Sequence, residues 1–427
     1  MPRRRVKGEK PLLFERPKSG ERAILVDVTV SEDTGSLEEL RELAISAGLH
    51  PVAMVTGRRQ APDPRYFLGK GKLDELLQTR KAEQADRVVF NQPLTPSQER
   101  NLEAELGIRV IDRTGLILEI FAQRAQSFEG KLQVELAQLR HISARLVRGW
   151  SHLERQKGGI GLRGPGETQL ETDKRLLRRR IAHIEQKLKK VEQRRDQGRL
   201  SRKCAQVPVI GMVGYTNAGK STLFNALTGA TVQVADQLFA TLDPTLRRMR
   251  INSTLTVVVA DTVGFIRALP HELVAAFKST LREAAEADLL LHVVDVSDDR
   301  VEETMAEVEN VLGNIGADRV PRIQVFNKID KCPGMSPRIA GSAADIPKRV
   351  WLSAKTGAGI PLLMQAITEH FMGGMVRRKF HLAAGEASLR ARLHGVGRVL
   401  REESDGAGGW YLEVEVPQGN TVRLRSP

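Results

Sequence analysis

The sequence predicts an α/β fold, and three observations carry that prediction. Apolar runs of strand length alternate with helical stretches over residues 23–111 and again from residue 207 to about residue 372. A glycine-rich loop, Gly214-Tyr215-Thr216-Asn217-Ala218-Gly219-Lys220-Ser221, follows the apolar run Val207–Val213 and leads straight into the helical stretch Thr222–Leu227. Between the two alternating regions the strand pattern stops, and long helical periodicity replaces it.

Taken in order, residues 1–20 are basic and proline-containing and are expected to be a disordered tail. A small parallel α/β subdomain follows over residues 21–112. Its expected strands are Ala23–Val30, Pro51–Thr56, Arg87–Phe90 and Ile108–Ile111, and its helices lie at Leu37–Ala47, near Lys72–Arg80 and at Pro96–Leu106. Residues 113–205 read as a long antiparallel helical hairpin, with arms at Lys131–Arg148 and Leu170–Leu200. In the second arm Leu177, Ile181, Ile184, Leu188 and Val191 recur at coiled-coil spacing, and Leu132, Leu136, Leu139, Ile142 and Leu146 offer a matching face in the first. Strands are expected again at Val207–Val213, Leu246–Ile251, Leu255–Ala260, Leu289–Val294, Ile323–Phe326 and Val350–Leu352, within a nucleotide-binding domain spanning 206–372. A small α+β C-terminal domain, 373–427, has strands at Arg398–Glu402 and Tyr411–Val416 about a glycine-rich turn.

Composition narrows the partners. The 427 residues are 41% hydrophobic and 28% charged, enough apolar material for several cores, and no apolar stretch is long enough for a membrane span. The basic N-terminus has no apolar run behind it, so no secretory signal is expected. Cys204 and Cys332 make neither a disulfide framework nor a zinc cluster, and a cytoplasmic protein with reduced thiols is expected. The net charge is +14, and residues 120–203 hold 21 Lys and Arg against 9 Asp and Glu, so nearly all the surplus lies in the hairpin. A confined surplus of this kind points to a polyanionic partner.

The loop Gly214–Ser221 has the form GxxxxGK[ST] in its required strand–loop–helix setting. Its backbone N–H groups converge on phosphate oxygens, Lys220 reaches the β- and γ-phosphates, and the Ser221 hydroxyl is a ligand for Mg²⁺. Asn327-Lys328-Ile329-Asp330 follows an apolar run and selects the base: an aspartate there accepts both N1–H and N2–H of guanine, a donor pair adenine lacks on that edge. The expected nucleotide is therefore GTP, in a P-loop GTPase domain. Asp261-Thr262-Val263-Gly264 (DxxG) can hold the cation through water and offer the Gly264 N–H to the γ-phosphate. Ser353-Ala354-Lys355 can offer the Ala354 N–H to guanine O6. Phe239-Ala240-Thr241-Leu242-Asp243 lies where a threonine completes the Mg²⁺ shell only in the triphosphate state. Thr241 is favoured over Thr245 by its place in that stretch, and Lys220 and Gly264 are the catalytic candidates. After DxxG stands Phe265, where Ras-type enzymes carry a water-orienting glutamine. Either it packs the neighbouring loop, or hydrolysis is slow until a partner or rearranged loop assists; the second expectation is favoured. Arg267 and His271 are candidate substitutes.

The connection Gly149–Gly166 is glycine-rich and carries Lys157, Gly158, Gly159 and Arg163, with Trp150 and His152 beside it as possible stacking groups. Lys174, Arg175, Arg178 and Arg179 follow on the second arm. A charged helix is most often a solvated face, but its confinement beside a flexible tip favours nucleic acid, and structured RNA over DNA. Gly69-Lys70-Gly71-Lys72 reads equally as a second RNA contact or a helix-opening turn.

Asp112-Arg113-Thr114-Gly115, Gly130–Ala137, Gly158–Glu171 and Phe239–Thr245 together resemble the HflX family of bacterial translational GTPases, from about Ala23 to about Met372. The resemblance implies a cytoplasmic GTPase that binds the large ribosomal subunit, places its hairpin tip in the peptidyl-transferase region, and splits stalled or idle ribosomes under stress. It also implies ribosome-stimulated hydrolysis, with Ser221 and Thr241 as Mg²⁺ ligands. A monomer is expected. Two other readings remain open: a regulatory GTPase whose hairpin docks on proteins, and an ATP-assisted RNA remodelling enzyme.

Overall fold

A computed structural model describes residues 20–417 except 30–36, 157–164, 205–206, 230–237, 240–244, 253–254, 268–282, 342–347, 373–374, 384, 387–388, 391–392, 395–397 and 405–407. The first sheet is wholly parallel, as the sequence predicts. Its strands β1 (Arg22–Thr29), β2 (His50–Arg58), β3 (Arg87–Phe90) and β4 (Arg109–Asp112) lie in the order β2-β1-β3-β4. Side chains alternate across it. Ala23 and Leu25 pack with α1 (Leu37–Ser46) and α4 (Arg113–Arg124). Ile24, Val26 and Val28 pack with α2 (Lys70–Glu83) and α3 (Pro96–Leu106) on the other face.

Local signals explain these boundaries. Thr95 and Gln98 form a capping box, and Pro96 opens α3 where its missing N–H costs nothing. Gly69 is the N-cap of α2, so Gly69–Lys72 is a helix-opening turn. Asp112 caps α4 by accepting from Gly115 N at 2.8 Å. The sequence reading missed α4. Its run from Gly115 to Phe121 is buried throughout, so no polar face marks a helical period.

The hairpin comprises α5 (Phe128–Gln156) and α6 (Pro165–Cys204), each longer than its sequence pattern indicated. At 1.5 Å per residue, α6 is about 60 Å long. Leu132, Leu136, Leu139 and Ile184 form a buried seam, with Leu177, Ile181 and Leu188 against it. Ile142 and Val191 are half-buried, as those three are. Arg140–Glu185 (2.8 Å), Arg180–Glu135 (2.5 Å) and Arg195–Glu129 (2.9 Å) cross between the arms. Past the middle of α5 the hairpin is tied to α3 and to the end of β4, because Arg145 pairs with Glu99 at 2.5 Å and with Asp112 at 2.9 Å.

The second sheet has seven strands: β5 (Val209–Val213), β6 (Thr245–Arg250), β7 (Thr256–Asp261), β8 (Leu289–Asp295), β9 (Arg322–Asn327), β10 (Arg338–Ala340) and β11 (Lys348–Trp351). Their order is β10-β11-β9-β8-β5-β7-β6, with parallel pairing at the centre and antiparallel pairing at both edges. The described helices of this region are α7 (Lys220–Thr228), α8 (Val301–Asn314) and α9 (Ile360–Met372). α7 and α9 cover one face around Leu223, Phe224, Leu363 and Ile367, while α8 covers the other around Val308 and Leu312. The strand order reverses beside β5, which sets a crevice at the carboxyl ends of β5 and β8.

A three-stranded antiparallel sheet follows, ordered β12-β14-β13. It contains β12 (Met375–Leu382), β13 (Arg398–Ser404) and β14 (Trp410–Pro417), around Leu382, Leu393, Leu412 and Val414. The two expected strands pair here, and β12 was not anticipated, because Arg377, Arg378 and Lys379 interrupt its apolar pattern. Among the described residues no helix is long and apolar enough to cross a membrane.

Candidate guanine-nucleotide site

The phosphate loop leaves β5 at Gly214 and enters α7 at Lys220. Gly214 has φ 152° and Gly219 φ 91°. A Cβ on the first would strike the Val293 carbonyl, and one on the second the Asn327 amide, so both places require glycine. Ala218 is buried, whereas Asn217 stands exposed with φ 60°. Lys220 is buried, and its Nζ donates to the carbonyls of Gly214 (3.0 Å) and Tyr215 (2.6 Å). Burial pulls its pKa down to about 8, opposed by the nearby Asp261 carboxylate and reinforced by Lys328.

Asp261 ends β7, is fully buried, and accepts from Ser221 Oγ at 2.9 Å. A hydroxyl and a carboxylate meeting beside a phosphate loop are the hard oxygen donors that magnesium takes, with phosphates and waters filling its other positions. The residues present therefore fit that ion. Among the described residues no cluster of three or more His, Cys, Asp or Glu offers a cage for a different metal.

Thr262 Oγ1 donates to the Met212 carbonyl at 2.6 Å, and Val263 is buried. Gly264 lies against the loop, where a Cβ would sit 2.9 Å from Thr216 Cγ2 and 3.0 Å from Lys220 Nζ. Phe265 bridges to the loop in both directions: Thr216 N donates to its carbonyl (2.7 Å), and its own N–H donates to Gly214 O (3.1 Å). Its ring is 1% exposed, among Val213, Leu290 and Val308. The packing role is thus realised, and the ring is turned away from the cleft.

The base-recognition residues converge from the ends of two strands, β9 and β11. Asn327 donates to Ala218 O at 2.9 Å and accepts from Ala354 N at 2.9 Å, which joins the phosphate loop to Ser353–Lys355. Lys328 adopts φ 67° and pairs with Asp295 at 2.7 Å. Ile329 is buried, Asp330 is exposed, and the Asp330 carboxylate accepts from Ser353 Oγ at 2.5 Å. Lys355 is exposed at the rim.

Three family models match consecutive stretches of the chain: "GTP-binding GTPase N-terminal" over residues 34–122, "GTP-binding GTPase Middle Region" over 124–202, and "50S ribosome-binding GTPase" over 209–328. GTPase HflX of Escherichia coli K12 is 54% identical over 414 residues, covering 96% of this chain and 97% of that protein. The chain belongs to the HflX GTPase family. GTPase HflX of Caldanaerobacter subterraneus subsp. tengcongensis is 47% identical, covering 96% of this chain and 95% of its own. A crystal structure of a GTP-binding protein from Sulfolobus solfataricus with GDP aligns at 26% identity and TM-score 0.44, over 82% of this chain and 98% of that one. This HflX-family chain is a GTP-binding, GTP-hydrolysing enzyme.

Some expected site residues of this HflX-family chain are not brought together in view. Ala240, Thr241, Leu242, Asp243, His271, Lys157, Gly158, Gly159 and Arg163 lie outside the described residues, while Trp150 and His152 fall on α5. On α6, Lys174 is half-buried and Arg175, Arg178 and Arg179 are exposed. Phe239 is described, and it is buried against Phe121 of α4 with ring centroids 4.6 Å apart. Sequence reasoning missed the residues that α1 and α4 bring to the loop. Glu39 accepts from Tyr215 Oη at 2.5 Å and pairs with Arg113 at 3.0 Å. Glu39 and Tyr215 are 176 positions apart, a separation no local pattern reports.

Proposed function

We propose that this GTPase, in its GTP-bound form, associates with the large ribosomal subunit through the basic hairpin, dissociates stalled or idle ribosomes under stress, and is released after ribosome-stimulated hydrolysis. The observation that carries the reading is α6, the second arm of the hairpin, about 60 Å long by its residue count, with Arg175, Arg178 and Arg179 exposed along it. The family model matched over the nucleotide domain, described as a 50S ribosome-binding GTPase, supports the same partner. Lys157, Gly158, Gly159, Arg163, Lys174, Arg175, Arg178 and Arg179 are the proposed RNA contacts. The working division of labour is a tail (1–20), an α/β subdomain (21–112), the hairpin (113–205), the nucleotide domain (206–372) and a C-terminal domain (373–427), in a cytoplasmic monomer.

In the proposed site Gly214–Ser221 cradle the phosphates and Lys220 neutralises the β- and γ-oxygens. Ser221 and Thr241 hold magnesium, with Asp261 behind them, and the ion supplies charge neutralisation to the triphosphate when bound. The Gly264 N–H addresses the γ-phosphate. Asn327, Lys328, Ile329 and Asp330 select guanine, helped by Ser353, Ala354 and Lys355, and the 239–243 segment reports the γ-phosphate.

Sedimentation of the full chain with purified ribosomes and subunits tests the coupling. The chain should pellet with the large subunit in a non-hydrolysable GTP analogue and remain in the supernatant with GDP. Salt should weaken the pelleting steeply, as counterion release on RNA requires. Equal pelleting with either nucleotide overturns the proposal, and a shallow salt response favours a protein-docking arm.

A further inference from the structure

The first sheet's helices do more than lie beside the nucleotide domain; they share its core. Leu238, Phe239, Val263 and Ile266 belong to the same buried cluster as Leu40 and Leu43 of α1 and Leu116, Ile120 and Phe121 of α4. Leu238 N donates to Ser46 Oγ at 3.1 Å, and Arg124 donates to the Phe239 carbonyl at 3.2 Å. Thus two segments that leave the same paired end of β6 and β7, one before β6 and one after β7, are seated on the same two helices.

A polar chain runs through the contact. The Tyr215 hydroxyl donates to Glu39 (2.5 Å) and accepts from Arg267 N (2.9 Å). Arg113 reaches Glu39 (3.0 Å), the Asn91 side chain (3.1 Å) and the Arg267 carbonyl (3.3 Å). Both backbone groups of Arg267 are therefore held by side chains that meet at Glu39, which is 4% exposed. Glu38, Glu39 and Glu42 of α1 line the cleft alongside Thr216, Asn217 and Ala218 of the phosphate loop. Three carboxylates beside a phosphate cradle disfavour added negative charge.

Where this latch holds residues 263–267, the Phe265 carbonyl takes the Thr216 N–H and Gly264 lies close over Lys220 Nζ. GTP adds a γ-phosphate where Lys220 and Gly264 already meet, and GDP does not. We infer that Glu39 and Arg113 are positioning residues which, through the Tyr215 hydroxyl, hold residues 263–267 across the phosphate loop and so set the enzyme's preference between GTP and GDP. The γ-phosphate and the seating of α1 then compete, and loosening one favours the other, as linkage requires.

Glu39→Ala, Glu39→Gln and Tyr215→Phe in the full chain, singly and combined, test this by titration with GDP and with a non-hydrolysable GTP analogue. Glu39→Ala should leave the GDP Kd within about twofold of the parent and tighten the analogue at least about fivefold, the lower end of ordinary coupling. Glu39→Gln, which keeps the volume and an acceptor but not the charge, should give a smaller shift of the same sign, and it serves if the alanine variant does not fold. Adding Tyr215→Phe to Glu39→Ala should shift the GTP-to-GDP ratio by less than the product of the two single shifts, because the Tyr215–Glu39 bond is common to both. The inference is overturned if analogue and GDP affinities change together, if the ratio stays at the parent value, or if the two shifts multiply.

Discussion

Lys220 is a cation kept in a buried place by two backbone carbonyls and one nearby carboxylate, and its pKa of about 8 is the cost of that placement. A phosphate beside the Nζ restores the preference for the charged form, so nucleotide binding above about pH 8 should take up a proton. Calorimetry at pH 8.5 in two buffers of different ionisation enthalpy measures that uptake directly. The sign for stability is the reverse. The unfolded chain, with an ordinary lysine pKa of 10.5, binds more protons than the folded one between the two values. The nucleotide-free protein should therefore gain stability as pH rises from about 8 to 10.5. Asp330 makes a second residue-scale prediction. Its carboxylate is exposed and oriented by the Ser353 hydroxyl. Asp330→Asn should lower the preference for GTP over ATP by at least about tenfold, the worth of one charge-assisted hydrogen bond, measured by competition binding. These residues were legible in the sequence because phosphate and guanine demand particular side chains at fixed offsets. Glu39 and Arg113 were not, since a carboxylate in a helix's first turn and an arginine after a strand look like ordinary surface until the fold brings them to Tyr215.

At the scale of elements, what the sequence revealed depended on whether an element has two unlike faces. The hairpin arms carry an apolar stripe on otherwise polar helices, so their type and partner were readable. α4 is covered on nearly every side and shows no such contrast. Its interior includes Glu119, 3% exposed, which receives two bonds from buried Arg87, at 2.8 and 3.1 Å, and a further pairing with Arg109 at 3.4 Å. Burial pushes the Glu119 pKa up, against the pull of Arg87 and Arg109. Glu119→Ala should destabilise the subdomain by about 1–3 kcal/mol, because it takes one of two carboxylates from the buried Arg87 guanidinium, which keeps Glu21 at 2.9 Å, read as a lower midpoint in urea. The double variant Glu119→Leu with Arg87→Met should recover much of the loss by exchanging an ion pair for packing.

At the scale of the molecule, charge and length were visible from the start, but the direction of the arm was not. The glycine-rich connection Gly149–Gly166 looked long because its flanks carry glycine and no apolar stripe; the helices in fact continue to Gln156 and resume at Pro165. Deleting residues 158–164 should leave unstimulated GTP hydrolysis unchanged, since that segment is remote in sequence from every nucleotide motif, and should abolish stimulation by ribosomes. Phosphate-release assays with and without ribosomes make the comparison, and normal stimulation would rule the tip out as the sensor.

The attachment of the arm has a mechanical meaning. A stiff rod carries any slackness at its pivot to its free end, so that a tilt at the grip sweeps whatever projects beyond it. Arg145 is gripped by carboxylates from two different elements, Glu99 on α3 and Asp112 at the start of α4. Two grips on one guanidinium restrict rocking in a way that one cannot. The aim of the arm is thereby set by the small α/β subdomain beside α5, and whatever reorients that subdomain redirects the far end.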